Sequence, residues 1–172
     1  MLFEFTEEQL MIKQAAKDFA VNECLPGVIE RDEHQKFPRE QIMKLAELGF
    51  MGMMTAPEYG GGGMDTVSYV LAMEELSKVD ASASVVMSVN NSLVCWGLEK
   101  FGTEEQRQKY LPKLATGEFM GCFGLTEPDY GSNPSGLVTN FKDMGDHYLL
   151  NGAKMWISNA PFADIAVVWA KN

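Results

Sequence analysis

Two short stretches hold the residues best suited to chemistry, Thr126-Glu-Pro-Asp-Tyr-Gly-Ser132 and Lys154-Met-Trp-Ile-Ser158. In the first, a Pro and Gly turn at the end of an apolar run presents two hydroxyls and a series of free backbone N–H groups, which can bind phosphate or the edge of a heterocycle. A plain structural turn is the alternative. The second reads as a strand with Trp156 two residues before Ser158, so both side chains share a face. Trp156 could stack on a flat cofactor while Ser158 bonds to its edge, or it could simply fill a core.

Other chemistries find little support. His34 lies among Asp32, Glu33 and Lys36, and His147 lies in an expected hairpin; neither has a second His at ligand spacing, so both read as solvated and no metal is expected. There is no Gly-x-Ser-x-Gly elbow. Cys24, Cys95 and Cys122 are odd in number and lack Cys-x-x-Cys spacing, which excludes a disulfide framework and a zinc ribbon and points to a reducing compartment. Cys122 reads as a small buried side chain rather than a nucleophile.

The elements that must position these stretches follow from periodicity. Thr6-Glu-Glu-Gln9 and Thr103-Glu-Glu-Gln106 are capping boxes. The first opens a helix with Met11, Ala15 and Phe19 on its apolar face and Ile12 and Ala16 beside them; the second opens one lined by Tyr110, Leu111 and Leu114 and closed by Gly117. Helices are also expected over 38–48, over 65–79 with Val67, Val70 and Leu71 inward, and over 81–101. The last is apolar on nearly every side and belongs inside a bundle. Gly60 to Gly63 lacks the glycine spacing of a dinucleotide fingerprint and reads as a flexible connector.

After Gly117 the texture changes to short β-type runs at 122–126, 137–141, 148–151, 154–158 and 165–169, separated by turn residues such as Asn151-Gly152. The expected class is therefore α+β: an all-α helical bundle over 1–118, then the start of an antiparallel, barrel-like β-domain over 119–172. The β-portion is short for a closed sheet, so the chain is expected to break off inside its second domain.

At 172 residues, with 46% apolar and 22% charged residues, the composition is that of a globular protein. Twenty-four acidic against 14 basic side chains leave a net charge of −10 and no Lys/Arg cluster, which argues against nucleic acid and an anionic membrane surface as partners. No apolar run approaches a membrane span, and the acidic start lacks the form of a secretory signal. Bacterial cytoplasm is the expected compartment, or the mitochondrial matrix after removal of a transit peptide.

Cys122-Phe-Gly-Leu-Thr-Glu-Pro128 with Gly131-Ser132, then Asn151-Gly-Ala-Lys-Met-Trp-Ile-Ser158-Asn159, resemble the middle-domain pattern of the acyl-CoA dehydrogenase family. Phe5-Thr-Glu-Glu-Gln9, Tyr59-Gly-Gly61, Ser88-Val-Asn-Asn-Ser92 and Phe101-Gly-Thr-Glu-Glu-Gln106 match in the same order across nearly the whole chain. The resemblance implies noncovalent FAD held between a helical domain, a β-domain and a second helical domain, commonly in a homotetramer. It implies that Phe123, Leu125 and Thr126 contact the flavin ring, that Gly131 and Ser132 meet the pyrophosphate, with Ser132 also reaching the thioester, and that Trp156, Ile157 and Ser158 flank the ring and its N5 edge. The implied reaction is α,β-dehydrogenation of an acyl-CoA, with electrons passed to an electron-transfer flavoprotein.

The family's catalytic glutamate lies in the C-terminal helical domain, so no residue here inherits that role and the polypeptide alone is expected not to turn over. Glu127 looks structural in the motif. Asn133 stands where the family often has Asp, and Ser158 where it often has Thr. In the glutaryl-CoA branch an arginine near the position of Ser84 binds the distal carboxylate; Ser84 is uncharged, and Val86, Val89 and Leu93 could wall a short unbranched acyl chain or simply fill the core. Gly121-Cys-Phe-Gly-Leu-Thr-Glu-Pro128 and Trp169-Ala170 resemble the glutaryl-CoA branch and Met87-Ser-Val-Asn-Asn-Ser-Leu93 the short-chain branch; with Ser84 uncharged, a short-chain substrate is expected. The alternatives are a noncatalytic module that retains flavin or CoA binding, and a helical interaction domain with a vestigial β-segment.

Overall fold

The computed structural model describes residues 4–172. Both capping boxes form: the Thr6 and Thr103 hydroxyls accept from the Gln9 and Gln106 amides at 3.2 Å, and each Gln side chain accepts from the cap residue's N–H. They open α1 (Glu7–Phe19), which continues as a π-helical turn to Cys24, and, after five intervening helices, α7 (Glu104–Ala115). Those five are α2 (Val28–Glu33), α3 (Arg39–Glu47), α4 (Thr66–Ser77), α5 (Ala81–Ser88) and α6 (Trp96–Phe101). Asp65 and Asp80 cap α4 and α5, and Gln9 reaches across to Asp65 at 2.9 Å, which ties the starts of α1 and α4 together.

The buried faces differ in detail from the expected ones. On α1 the core stripe is Ala16, Phe19 and Ala20 with Ile12 at its edge, while Met11 is exposed. On α4, Leu71, Ala72 and Leu76 are buried and Val67 and Val70 face out. The 81–101 segment is helical throughout, with a π-helical run at Val89–Cys95 between α5 and α6. It is not enclosed on all sides among the described residues, since Val85, Trp96 and Phe101 are exposed.

The Gly60 to Gly63 stretch is not a loose connector. Gly62, Gly63 and Met64 donate to the carbonyls of Gly52, Thr55 and Met53 at 2.8–2.9 Å. A Cβ on Gly61 would lie 2.1 Å from the Thr55 carbonyl oxygen. Glycine is used here for close approach of two backbones, not for flexibility.

Four strands follow: β1 (Gly121–Gly124), β2 (Asn140–Asp143), β3 (Tyr148–Asn151) and β4 (Ile165–Val168). The helical domain followed by the start of a β-domain is the architecture expected. β2 and β3 form the antiparallel hairpin, with Gly145 in a left-handed turn, whereas β1 pairs with β4 in parallel, Gly121 against Ile165. The connection between β1 and β4 carries both candidate stretches and the hairpin, which is what permits a parallel pair. β1 packs on the helices: Met120 enters the larger core, and Phe123, Ile165 and Val167 border the smaller one around Val94 and Leu114. No helix among the described residues is long and apolar enough to cross a membrane.

Candidate functional site

The turn at 126–132 is built around Glu127. Its N–H and C=O exchange hydrogen bonds with Tyr130 at 3.3 and 3.2 Å, closing Pro128-Asp129 as a two-residue turn. The carboxylate is 2% exposed and accepts from the Val138 and Thr139 amides at 2.6 and 2.9 Å and from Lys154 Nζ at 2.9 Å. Burial alone would raise its pKa. The hydrogen bonds from Thr139 and Val138 and the Lys154 ammonium more than reverse that and hold it down at about 2. A carboxylate so fully engaged is a poor proton acceptor, so Glu127 is structural, as its place in the motif implied.

Lys154 carries the turn across to the second stretch. Its ammonium also donates to the Leu125 carbonyl at 3.0 Å, and the next residue, Met155, donates its N–H to the Thr126 carbonyl at 2.9 Å. Thr126 and Trp156 thus belong to neighbouring segments of backbone. The pairing of Glu127 with Lys154 spans 27 residues and could not be read from spacing alone, although both residues lie inside the motifs.

The 154–158 segment is not a strand. Trp156 has φ +59° and Asn159 φ +69°, so the chain turns twice in the left-handed region and the alternation of an extended strand is lost. The expected common face of Trp156 and Ser158 therefore does not come from strand geometry. The segment is entered through Gly152, where φ is +153° and a Cβ would meet the Thr139 hydroxyl at 2.2 Å, and the Met155 amide is taken by the Thr126 carbonyl.

The sequence-derived candidates fall as follows. Phe123, Leu125 and Thr126 are half-buried along the end of β1; Gly131, Ser132 and Ser158 are exposed; Ile157 is half-buried; and the Trp156 side chain is 85% exposed. An indole left bare beside a half-buried Thr and an open Gly131, whose Cβ position meets nothing within 4 Å, fits a planar ligand lying across the two segments. Phe123 packs edge-on against Trp169 at 6.1 Å, which braces the strand from which Leu125 and Thr126 emerge.

Val86 and Val89 are buried, Leu93 is exposed, and only Val86 borders the open cavity of about 350 Å³ that also reaches Ser158. Ser84 lies buried between α4 and α5, its hydroxyl 2.7 Å from that of Ser77, and does not border that cavity. The cysteines are buried and free; burial pushes Cys24 up to about 11 and Cys95 up to about 12. No cluster of metal-ligating side chains exists among the described residues.

Two family models match in succession: acyl-CoA dehydrogenase, N-terminal domain, over residues 6–118, and acyl-CoA dehydrogenase, middle domain, over residues 122–172. The short-chain specific acyl-CoA dehydrogenase of Clostridium acetobutylicum is 44% identical over 170 residues, a match that covers 99% of this chain and 45% of that protein. The butyryl-CoA dehydrogenase of Megasphaera elsdenii superposes with a TM-score of 0.91 at 40% identity, covering 99% of this chain and 45% of the other. The glutaryl-CoA dehydrogenase of Mycobacterium smegmatis does so with a TM-score of 0.92 at 40% identity, over 96% and 43%. The chain spans less than half the length of each of these relatives.

Proposed function

This chain belongs to the acyl-CoA dehydrogenase family, and on that premise we propose that it supplies the flavin-binding half of an FAD-dependent enzyme that introduces an α,β double bond into a short-chain acyl-CoA. Bound FAD would supply the hydride acceptor for the β-hydrogen, and an electron-transfer flavoprotein would receive the electrons. Residues 1–118 act as the helical support and 119–172 as the flavin-facing β-portion. The observation that carries the reading is the Met155 to Thr126 hydrogen bond of 2.9 Å, reinforced by Lys154 between Leu125 and Glu127. It holds the two motif segments side by side although a long excursion of chain separates them, which supports their sharing one ligand.

In this reading Phe123, Leu125 and Thr126 offer the end of β1 to the ring, Trp156 and Ile157 cover a ring face, and the Ser158 hydroxyl meets the N5 edge. Gly131 and Ser132 meet the pyrophosphate, and Ser132 the thioester. The buried Glu127–Lys154 pair holds these groups in place before any ligand arrives, which spares their ordering on binding. The carboxylate that removes the α-proton lies outside these 172 residues.

Overall similarity does not choose between butyryl and glutaryl substrates, and the residues around Ser158 support the former. Of the proposed acyl wall of Val86, Val89 and Leu93, Val86 is the member that reaches the cavity, where Pro38, Ala81 and Val85 join it. The cations on the adjoining cavity are already paired, Arg31 with Asp80 at 2.9 Å and Lys36 with Glu30 at 2.6 Å. A distal carboxylate would meet no free cation there, at a cost that an apolar chain end avoids.

The full-length protein is expected to be yellow, to bleach anaerobically with butyryl-CoA, and to turn over butyryl-CoA faster than glutaryl-CoA. Faster glutaryl-CoA turnover would refute the substrate reading. Flavin that binds but never bleaches would favour a noncatalytic module. A homotetramer in the reducing cytoplasm or the mitochondrial matrix completes the proposal.

A further inference from the structure

Gly121, the first residue of β1, has both of its main-chain polar groups held by side-chain amides. Asn90 Oδ1 accepts from its N–H at 3.1 Å, and Asn159 Nδ2 donates to its carbonyl at 3.1 Å. Asn90 sits in the π-helical run between α5 and α6, fully buried, and its amide N–H groups go to the carbonyls of Met51 and Leu114 at 2.9 and 3.1 Å. Every polar atom of that side chain is used, so Asn90 ties the helical core to a single peptide of β1. Gly121 admits no larger residue, since a Cβ would meet Val94 Cγ1 at 2.6 Å.

Asn159 follows Ser158 directly. It is 7% exposed and adopts φ +69°, a conformation that Asn tolerates better than most residues. The loop it begins is fastened again at its far end, where Asp164 accepts from the Met120 N–H at 2.9 Å and donates its own N–H to the Met120 carbonyl at 2.8 Å. Two left-handed residues, Trp156 and Asn159, thus bracket Ile157 and Ser158, and strain of this kind persists only where the surroundings over-determine it.

We propose that Asn159 is a positioning residue for Ser158: by donating to Gly121, which Asn90 fixes from the helical side, it sets where the Ser158 hydroxyl stands at the flavin edge. The inference rests on the flavin reading above and adds a residue that has no contact of its own with the ring. A glycine at 159 would keep the left-handed backbone and lose only the amide, and an aspartate would keep the shape while, ionised, lacking the donor.

The test is a double-mutant cycle in the full-length protein, with FAD dissociation followed by flavin fluorescence and the melting temperature of the apoprotein as control. Asn159→Gly is expected to weaken FAD binding about fivefold, the worth of one hydrogen bond. The weakening should vanish in the Ser158→Ala background, while the change in melting temperature stays the same in both. Asn159→Asp should match Asn159→Gly, and it carries the cycle if the glycine variant fails to fold. Equal weakening with and without the Ser158 hydroxyl, or parent-like affinity in Asn159→Asp at a pH where its carboxyl is ionised, would overturn the positioning role and leave the flavin reading intact. A parent protein that binds no FAD would overturn both.

Discussion

Glu127 and Trp156, on adjoining segments, meet two opposite demands, one side chain enclosed and the other largely bare. The Glu127 carboxylate has a folded-state pKa of about 2, below the value of about 4.3 expected in the unfolded chain. Its contribution to stability is therefore complete above the unfolded pKa and is lost as the pH falls from there through the folded value. Melting temperatures measured from pH 7 to pH 2 should drop through this window in the parent. Glu127→Gln should be destabilised at neutral pH, because Lys154 loses its partner in a buried site, and its curve should be flatter below pH 4.5. Parallel curves would mean that the carboxylate is not the titrating group. Trp156 calls for the opposite result: being 85% exposed, its replacement by Ala should leave the apoprotein's unfolding free energy within about 0.5 kcal/mol of the parent's while weakening FAD binding by the worth of a lost stacking face, on the order of 1 kcal/mol. A large loss of apoprotein stability would show that the indole is packed rather than presented.

Among the elements, the Gly60 to Gly63 segment separates what local pattern can show from what only packing can. A run of glycines between helices has the composition of a hinge, yet Gly61 lies where a Cβ would stand 2.1 Å from a backbone oxygen. Gly61→Ala should cost about 1–3 kcal/mol in chemical denaturation, the cost of an overpacked site whose neighbour is main chain and cannot yield; a neutral substitution would restore the hinge reading. Thr103→Ala should cost about 1 kcal/mol through loss of the α7 cap. The caps were legible in the sequence because all of their partners lie within three residues, as was Gly117, which adopts φ +72° after α7. The course of 154–158 was not. Trp156 and Ser158 sit two apart in a short, mainly apolar run, as on one face of a strand, but the segment and its flanks are held by Thr126, Thr139 and Gly121, all at least 13 residues from their partners along the chain. The parallel pairing of β1 with β4 is hidden for the same reason, since alternation within a strand carries no information about its neighbour's direction. The candidate flavin contacts stand out only as motif residues, whereas the bonds of Asn159 and Lys154 are made across the fold and leave no mark in local spacing.

In the molecule as a whole, the helical portion supplies the frame, and the β-portion is joined to it through β1, through Ile165 and Val167 of β4, and through Phe162 stacked on Phe37. The fully buried large side chains, Ile42, Leu45, Met51, Met53, Leu76, Met87, Leu111 and Leu114 among them, all lie in the helical portion or the segments that join its helices. β1 is fastened to that frame at Met120, Gly121 and Phe123, whereas Tyr148, Leu149 and Leu150 of the hairpin are exposed and β3 is open on both faces. Local opening free energies follow the density of buried contacts, so amide exchange should fall into distinct tiers. Amides of α3, of the 89–95 run and of α7, together with Gly121, should exchange slowest, and those of β2 and β3 should exchange faster by orders of magnitude. FAD should slow exchange at 125–132 and 155–159 and leave the slow tier unchanged, because the ligand stiffens groups that the frame already holds in place rather than building the frame. Uniform protection across the hairpin and the helices in the ligand-free chain would contradict this hierarchy. FAD-dependent protection confined to the helices would move the ligand away from the Thr126 and Trp156 segments altogether.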